Sequence, residues 1–405
     1  MKSVFQAPVS PVRPLSTRPV VDGGANRGDH SRPAGNADGS PPAVRRGLGL
    51  AAASLLWLSA AAGRGDVVTN LTAYWSFDST SSGTTTATVG PNGTLVTVTD
   101  AGGSPFVADT TGVIGNSLDF VSTQPTANSL RQGYVDYGTD VSIQSNMSIA
   151  GWMNIDAVLE SVGNSSVSRA YLLGQMGATS GIRGTQVYVE GGGVFVQSYV
   201  DSVDTAIGTG TGLVPIGTNA WTHIAATRIS GTQRIYVDGI LRASGTATGP
   251  FDVSTQPLAS GKGFSTVNPS FQDNYLDARL DDLGLWSSEL TSREVAAIAG
   301  LGKQSAVPLD SGQIDDVLAL NAVGQSAVAG SDTWYYTTTF VNPLGGGSPM
   351  PGMNYVGTDN QKYVILEGTE GSFVGVTTLV PEPQGLVLAG LAVAAAAWAG
   401  RRRRT

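Results

Sequence analysis

Two adjacent aspartates in the run LDDLGLW, Asp281 and Asp282, are the residues whose type and placement most invite chemistry. Alternation along a strand sets Asp281 with Leu283 and Leu285, and Asp282 with Trp286, so one carboxylate must point toward the core. A buried carboxylate is costly unless it meets backbone donors or a cation. One reading is a calcium site, since calcium suits an exterior, oxygen-rich site in a chain without cysteine. The other is that the aspartates cap turns and the edge of a sheet. Both stand on the sequence.

Other chemistry has less behind it. Glycoside hydrolysis needs two carboxylates on either side of the scissile bond, and on a strand they would alternate. No Glu-x-Asp-x-Glu run occurs, and the glutamates are scattered at positions 160, 190, 289, 294, 367, 370 and 382. His223 falls on the strand face of Trp221, Ala225 and Thr227 and reads as structural rather than as a triad base. No glycine-rich loop follows a strand and opens a helix, so nucleotide binding has no support. Tyr188 and Tyr199, which flank the glycines at 191–193 and alternate with apolar residues, are the candidate ligand-binding aromatics, stacking on sugar CH surfaces from a solvated sheet face.

The composition sets the limits. The chain has 405 residues, no cysteine, 54 glycines and 13% charged residues. This excludes a disulfide framework and thiolate metal sites, and it suits a β-rich, turn-dense surface protein. The formal net charge of -8 hides a segregation: residues 66–384 hold 11 Lys+Arg against 28 Asp+Glu, a formal -17, and the remaining 12 basic residues lie in the two ends. An acidic middle argues against nucleic acid and anionic lipid as partners.

The elements that must position these residues read as strands. Short alternating apolar runs predict strands at 71–77, 117–120, 134–137, 147–153, 171–173, 186–189, 194–200, 221–229, 234–237 and 280–286, with turn residues between them. Many strands without interleaved helices predict an all-β, two-sheet antiparallel sandwich. In 221–237 a strand turns at Ser230-Gly231 and returns, and Asp238-Gly239 supplies the positive φ angles of a tight hairpin, which makes a three-stranded meander. Thr291 with Glu294 forms a capping box for a short helix carrying Val295 and Ile298 inward. Beyond it, 304–379 reads as a small β-rich region or a spacer, with a helix at 314–322 opened by Asp315 and Asp316 and strands at 334–341 and 363–366.

The two ends read differently. Residues 1–43 are rich in Pro, Gly, Arg and Ser and cannot bury a core. Residues 44–65 hold Arg45-Arg46, an apolar run and small residues, the pattern of a secretory signal peptide cleaved near Ala62. Residues 380–405 hold Pro381, Glu382 and Pro383, then an uncharged apolar run, then Arg401, Arg402, Arg403 and Arg404. An apolar run of that length makes a transmembrane helix only with little tilt, and the arginine cluster stops translocation on the cytoplasmic side.

Two resemblances follow from these motifs. The tail is similar to the PEP-CTERM sorting signal of Gram-negative bacteria, which implies transient membrane insertion, recognition by a membrane-embedded exosortase, cleavage near Pro-Glu-Pro, and delivery to the cell surface or extracellular matrix. The segments AYWSFD, GNSLDF, MSIAGWM, WTHIAATR, RIYVDG and LDDLGLWSSELTSREV resemble, in order and spacing, the laminin-G-like, concanavalin A-like jelly roll, over 66–303. That resemblance implies core positions for Trp152 and Trp221, and a concave sheet able to bind extracellular polysaccharide. It also implies a structural calcium joining first and last strands, with Asp78 as partner to Asp281 and Asp282. The expectation is a non-catalytic surface protein; its rival is a structural matrix protein that contacts other proteins.

Overall fold

The computed structural model describes residues 67–379, apart from 82, 101–102, 110–111, 122–130, 158–168, 178–182, 201–202, 248–250, 264–275, 340–349, 358–359 and 370–371. The leader, the signal peptide and the tail with Pro381, Glu382, Pro383 and Arg401 to Arg404 lie outside the described residues. Among the described residues no helix is long and apolar enough to cross a membrane.

Strand pairing is antiparallel throughout and builds three sheets. An eight-stranded sheet runs Ile240–Thr246, Thr232–Val237, Thr222–Ile229, Met147–Ala157, Asp277–Trp286, Ser117–Phe120 and Phe106–Asp109, with Leu71–Trp75 paired to the far part of Asp277–Trp286. A nine-stranded sheet runs Val203–Gly208, Gly193–Val200, Arg183–Glu190, Arg169–Gly177, Ala259–Ser260, Arg131–Asp136, Gly93–Asp100, Thr84–Thr85 and Thr80–Ser81. These two face each other across one core. Ile149, Met153, Ile224, Ile235, Leu280, Leu283 and Leu285 come from the first sheet; Leu172, Val187, Val189, Val194 and Val196 come from the second. Alternation puts every second residue of each strand into this layer.

The meander forms as the turn residues predict. Ser230 and Gly231 take φ of 47° and 83°, and Asp238 and Gly239 take 51° and 80°, both in the left-handed region that tight hairpins require. Helix α1 (Ser292–Ser305) carries both halves of its capping box: Thr291 Oγ accepts from the Glu294 N–H, and the Thr291 N–H donates to Glu294 (2.6 Å).

The C-terminal region differs from expectation in detail. Helix α2 spans Gly312–Leu318 and is capped by Ser311 rather than opened by Asp315 and Asp316. Asp315 instead accepts from the backbone N–H of Val67 (2.9 Å) and of Val68 (3.4 Å), tying the start of the described chain to this helix. A five-stranded sheet follows, in the order Ser326–Ala329, Asp332–Thr337, Ser372–Thr377, Lys362–Thr369 and Asn354–Val356. Its Trp334, Val364, Leu366 and Val376 share a second buried cluster with Tyr74, Ala150, Ala225, Tyr236 and Trp286 of the sandwich and with Val295, Ile298 and Leu301 of α1. The region is thus packed on the outer face of the eight-stranded sheet. Polar contacts to α1 fix it there: Arg293 donates to the carbonyls of Leu318 and Leu320 (3.1 Å each) and pairs with Glu367, Lys362 donates to the Gln304 carbonyl (2.6 Å), and Ser305 donates to Asp332 (2.6 Å).

Candidate functional site

The first strand ends at Trp75, and Phe77 beyond it takes a left-handed φ of 59°, which turns Asp78 away from the ladder. On the last strand, Asp281 pairs with Trp152 but Gly284 already pairs with Ala150, so two residues stand against one. This is a β-bulge, and Asp282 carries it with a φ of 45°. The bulge resets the alternation. Asp281 therefore does not share a face with the core residues Leu283 and Leu285, and simple parity misplaced it. Both carboxylates are fully buried, at 0% exposure.

A single loop serves Asp281 and Asp78. The N–H groups of Val113 and Ile114 donate to Asp281 Oδ2 (2.6 and 3.0 Å), and the N–H of Asn116 donates to Asp78 Oδ1 (2.6 Å). Gly115 (φ 70°) is required: a Cβ there would lie 2.1 Å from Asp78 Oδ1. The Tyr74 hydroxyl donates to Asp282 Oδ1. Among the described residues Asp281 Oδ1 and Asp282 Oδ2 have no hydrogen-bond partner. Burial pushes the Asp281 carboxyl up to about 7, with Asp78 adding to it and the amide donors opposing. Burial and then the neighbouring Asp281 push Asp282 well above the usual carboxylate range. Calcium fits this place in donor chemistry, since two buried carboxylate oxygens lack partners. The fit falls short in number: among the described residues no set of three His, Asp or Glu side chains is gathered as a metal centre, and Asp78 stays exposed.

The other candidates lie on the nine-stranded sheet. Val187, Val189, Val194 and Val196 face the core, so Gln186, Tyr188, Glu190, Phe195, Gln197 and Tyr199 face away from it. Tyr188 and Tyr199 are on the predicted face, yet they do not offer open rings: they are 3% and 8% exposed. Tyr188 stacks on Phe195 (5.4 Å between ring centroids) and lies beneath the Arg169 guanidinium (4.5 Å). Burial pushes its hydroxyl up to about 12. Tyr199 pairs across the ladder with Asp204, and its hydroxyl is pushed up by burial and then by that carboxylate. What this face presents outward is a polar ladder. Arg169 pairs with Glu190 (2.9 Å), Gln186 donates to Gln197 (2.6 Å), and Gln197 donates to Asp204 (2.6 Å), beside a half-buried Phe195. Sequence reasoning missed these residues because single Gln, Arg and Asp side chains between apolar ones are the ordinary solvated face of any strand.

His223 is 1% exposed and packs edge-on against Trp152 (5.0 Å), with no hydrogen-bond partner at either ring nitrogen among the described residues. No serine–histidine–carboxylate arrangement is formed around it. Trp152 is buried as expected, whereas Trp221 is half-buried rather than in the core, because it precedes the first paired residue of its strand, Thr222.

Two facing antiparallel sheets, one capped on its outer side by a helix, form a two-sheet β-sandwich. Residues 128–296 match the family model Laminin_G_3, described as the Concanavalin A-like lectin/glucanases superfamily. No curated protein matches. Among solved structures, the binding domain of Paraclostridial Mosquitocidal Protein 1 is 14% identical, with 74% of this chain and 64% of that chain covered and a TM-score of 0.41. Domain 4 of an extracellular arabinanase from Geobacillus stearothermophilus, in complex with arabinotriose, is 16% identical (57% and 98% covered, TM-score 0.36). A native heptameric SAP-like pentraxin from Limulus polyphemus is 14% identical (47% and 84% covered, TM-score 0.35). The chain thus spans less than two thirds of the first of these. At such scores the likeness bears on neither ligand nor activity.

Proposed function

We propose that this is an exported surface or matrix protein that binds extracellular polysaccharide without catalysis, through the outer face of the nine-stranded sheet. The observation that carries the reading is the side-chain ladder Arg169–Glu190 and Gln197–Asp204 beside Phe195, a set of hydroxyl-binding donors and acceptors next to an aromatic surface. The lectin/glucanase match over 128–296 supports it. A non-catalytic role is favoured because the carboxyls pushed upward, Asp281 and Asp282, are sealed from any polymer, while Glu190, Glu289 and Glu367 are each held by an arginine. Export through the signal peptide, membrane insertion of the tail and exosortase processing at Pro381, Glu382 and Pro383 belong to the same proposal and rest on the sequence motifs.

Pull-down by immobilised polysaccharides tests the reading. Phe195→Ala and Gln197→Ala are each expected to weaken retention about tenfold, from the loss of one aromatic or hydrogen-bond contact; Gln197→Ala leaves the melting temperature in place, whereas Phe195→Ala, which also removes the stack on Tyr188, lowers it by a few degrees. Binding to no polysaccharide, with proteins retained instead, would transfer the role to a structural matrix component.

Calcium, in this proposal, is held by Asp281 and Asp282 and offsets two buried carboxylates. Saturating calcium is expected to raise the melting temperature over chelated protein by about 5 °C, the effect of a ligand at roughly a hundred times its Kd. Asp282→Asn is expected to abolish that response. Identical melting curves with calcium and with chelator would remove the metal from the proposal.

A further inference from the structure

The outer face of the eight-stranded sheet is covered at one end, where Ala150, Ala225, Tyr236 and Trp286 join the cluster beneath α1. Four residues along, a different row crosses the same face. Arg279 pairs with Asn154 on one side and with Asp119 on the other. Trp221 stands next to Asn154, because the following residue, Thr222, pairs with Met153. Ala278 and Leu280 face the core, so Arg279 faces out.

This row is built around Asn219. Asn154 Nδ2 donates to Asn219 Oδ1 (3.1 Å), and Arg279 donates to the same oxygen. The loop that presents Asn219 is fastened to the sheet by the Gly217 N–H, which donates to the Ile155 carbonyl (2.8 Å). Asn154 is 0% exposed, yet its Oδ1 has no hydrogen-bond partner among the described residues. A buried amide oxygen of this kind calls for a donor. Beside it lies the half-buried Trp221 ring, with the Arg279 guanidinium 5.7 Å from the ring centroid.

We propose that Trp221, Asn154, Asn219 and Arg279 form a second carbohydrate site, on the face opposite the first, which takes an uncharged pyranose ring of a polysaccharide. The inference rests on the polysaccharide-binding reading and adds a locus and a ligand class. The indole offers an apolar surface to ring CH groups, Asn154 Oδ1 accepts from a hydroxyl, and Arg279 donates to ring or hydroxyl oxygens. The ligand is uncharged because Arg279 is already offset by Asp156 (3.9 Å) and stands opposite Asp119, in a segment of formal charge -17 that repels polyanions. Sites on both faces let one molecule bridge two polymer chains.

The test uses purified protein titrated with short neutral oligosaccharides of glucan, galactan and mannan type, read by tryptophan fluorescence and iodide quenching. The other described tryptophans, Trp75, Trp152, Trp286 and Trp334, are at most 1% exposed, and with Trp57 and Trp398 replaced by phenylalanine the quenching reports on Trp221. In a Phe195→Ala, Gln197→Ala background, residual binding that shields Trp221 is expected. It should weaken about tenfold in Trp221→Ala, followed by titration calorimetry because the fluorescent probe is then gone, and in Asn219→Gly, which keeps the left-handed backbone at φ 56°. If the unmutated protein binds and this background does not, the second site is overturned while polysaccharide binding stands. If the unmutated protein binds none of the three, both fall.

Discussion

Replacing Trp286 with alanine is expected to destabilise the protein by about 3–5 kcal/mol and to lower its melting temperature by about 10 °C. The indole is 1% exposed, and its Nε1 donates to the Val67 carbonyl (2.7 Å). Its ring lies over Gly284, where a Cβ would come within 2.5 Å of it, and Leu309 closes on the same spot. One side chain therefore joins the last strand of the eight-stranded sheet, the first described turn and the segment entering α2. Truncation leaves a cavity among elements that α1 and the five-stranded sheet prevent from collapsing together, and it strands the Val67 carbonyl. Thermal unfolding followed by circular dichroism checks it. A shift of under 2 °C would mean that the two buried clusters are independent, and that the C-terminal region adds little to the sandwich.

That coupling was hard to read from sequence, and the reason is physical. The sandwich strands announce themselves because one face of each alternates into a single core, as in 117–120 and 194–200, and because Asp238-Gly239 and Thr291 with Glu294 are local signals that need no partner. The C-terminal strands alternate just as well, but alternation does not say which surface they cover. Trp334, Val364 and Val376 find theirs on a sheet formed some 200 positions earlier, which no local pattern encodes. Strand boundaries slipped where a positive φ intervened, as at Phe77. Missed strands such as 93–100 and 203–208 mix threonine and aspartate with valines that point to solvent, Val98 and Val203, so their apolar residues do not alternate onto one face.

The candidate sites split along the same line. Asp281 and Asp282 stood out as residue types, and Asp78 came in through the resemblance; the structure brings Asp281 and Asp78 to one loop and gives Asp282 to Tyr74 instead. Their orientation was misjudged, because a bulge is a two-strand property: only the pairing of Asp281 with Trp152 and of Gly284 with Ala150 reveals it. Tyr188 and Tyr199 were placed on the right face and given the wrong exposure, since Arg169, Phe195 and Asp204 reach them from neighbouring strands. Trp221 failed in the opposite sense. It was assigned to the core by its motif, yet it sits one residue before the ladder begins and keeps part of its ring in solvent.

Acid is expected to weaken the fold through His223, and His223→Phe to remove that part of the pH dependence. The imidazole is held between Trp152 and α1, and burial, with Lys303 of α1 adding repulsion, pushes it down from 6.5 to about 3. In the unfolded chain it protonates near its ordinary value. Between the two the unfolded state binds the extra proton, so stability is lost as pH falls from 6.5 toward 3. At about 1.4 kcal/mol per pH unit, the folded state forfeits roughly 3 kcal/mol by pH 4. Asp281 acts in the other direction: its raised carboxyl contributes stability below its ordinary 3.8 that is lost as pH rises through about 7. The whole-protein profile is therefore flatter than either group alone. Comparing the two proteins isolates the histidine. Urea midpoints for wild type and His223→Phe, taken at pH 7.5, 5.5 and 4, should diverge progressively in the variant's favour as pH falls. A constant difference across that range would mean that His223 meets a proton acceptor in the folded state and is not held neutral by its burial.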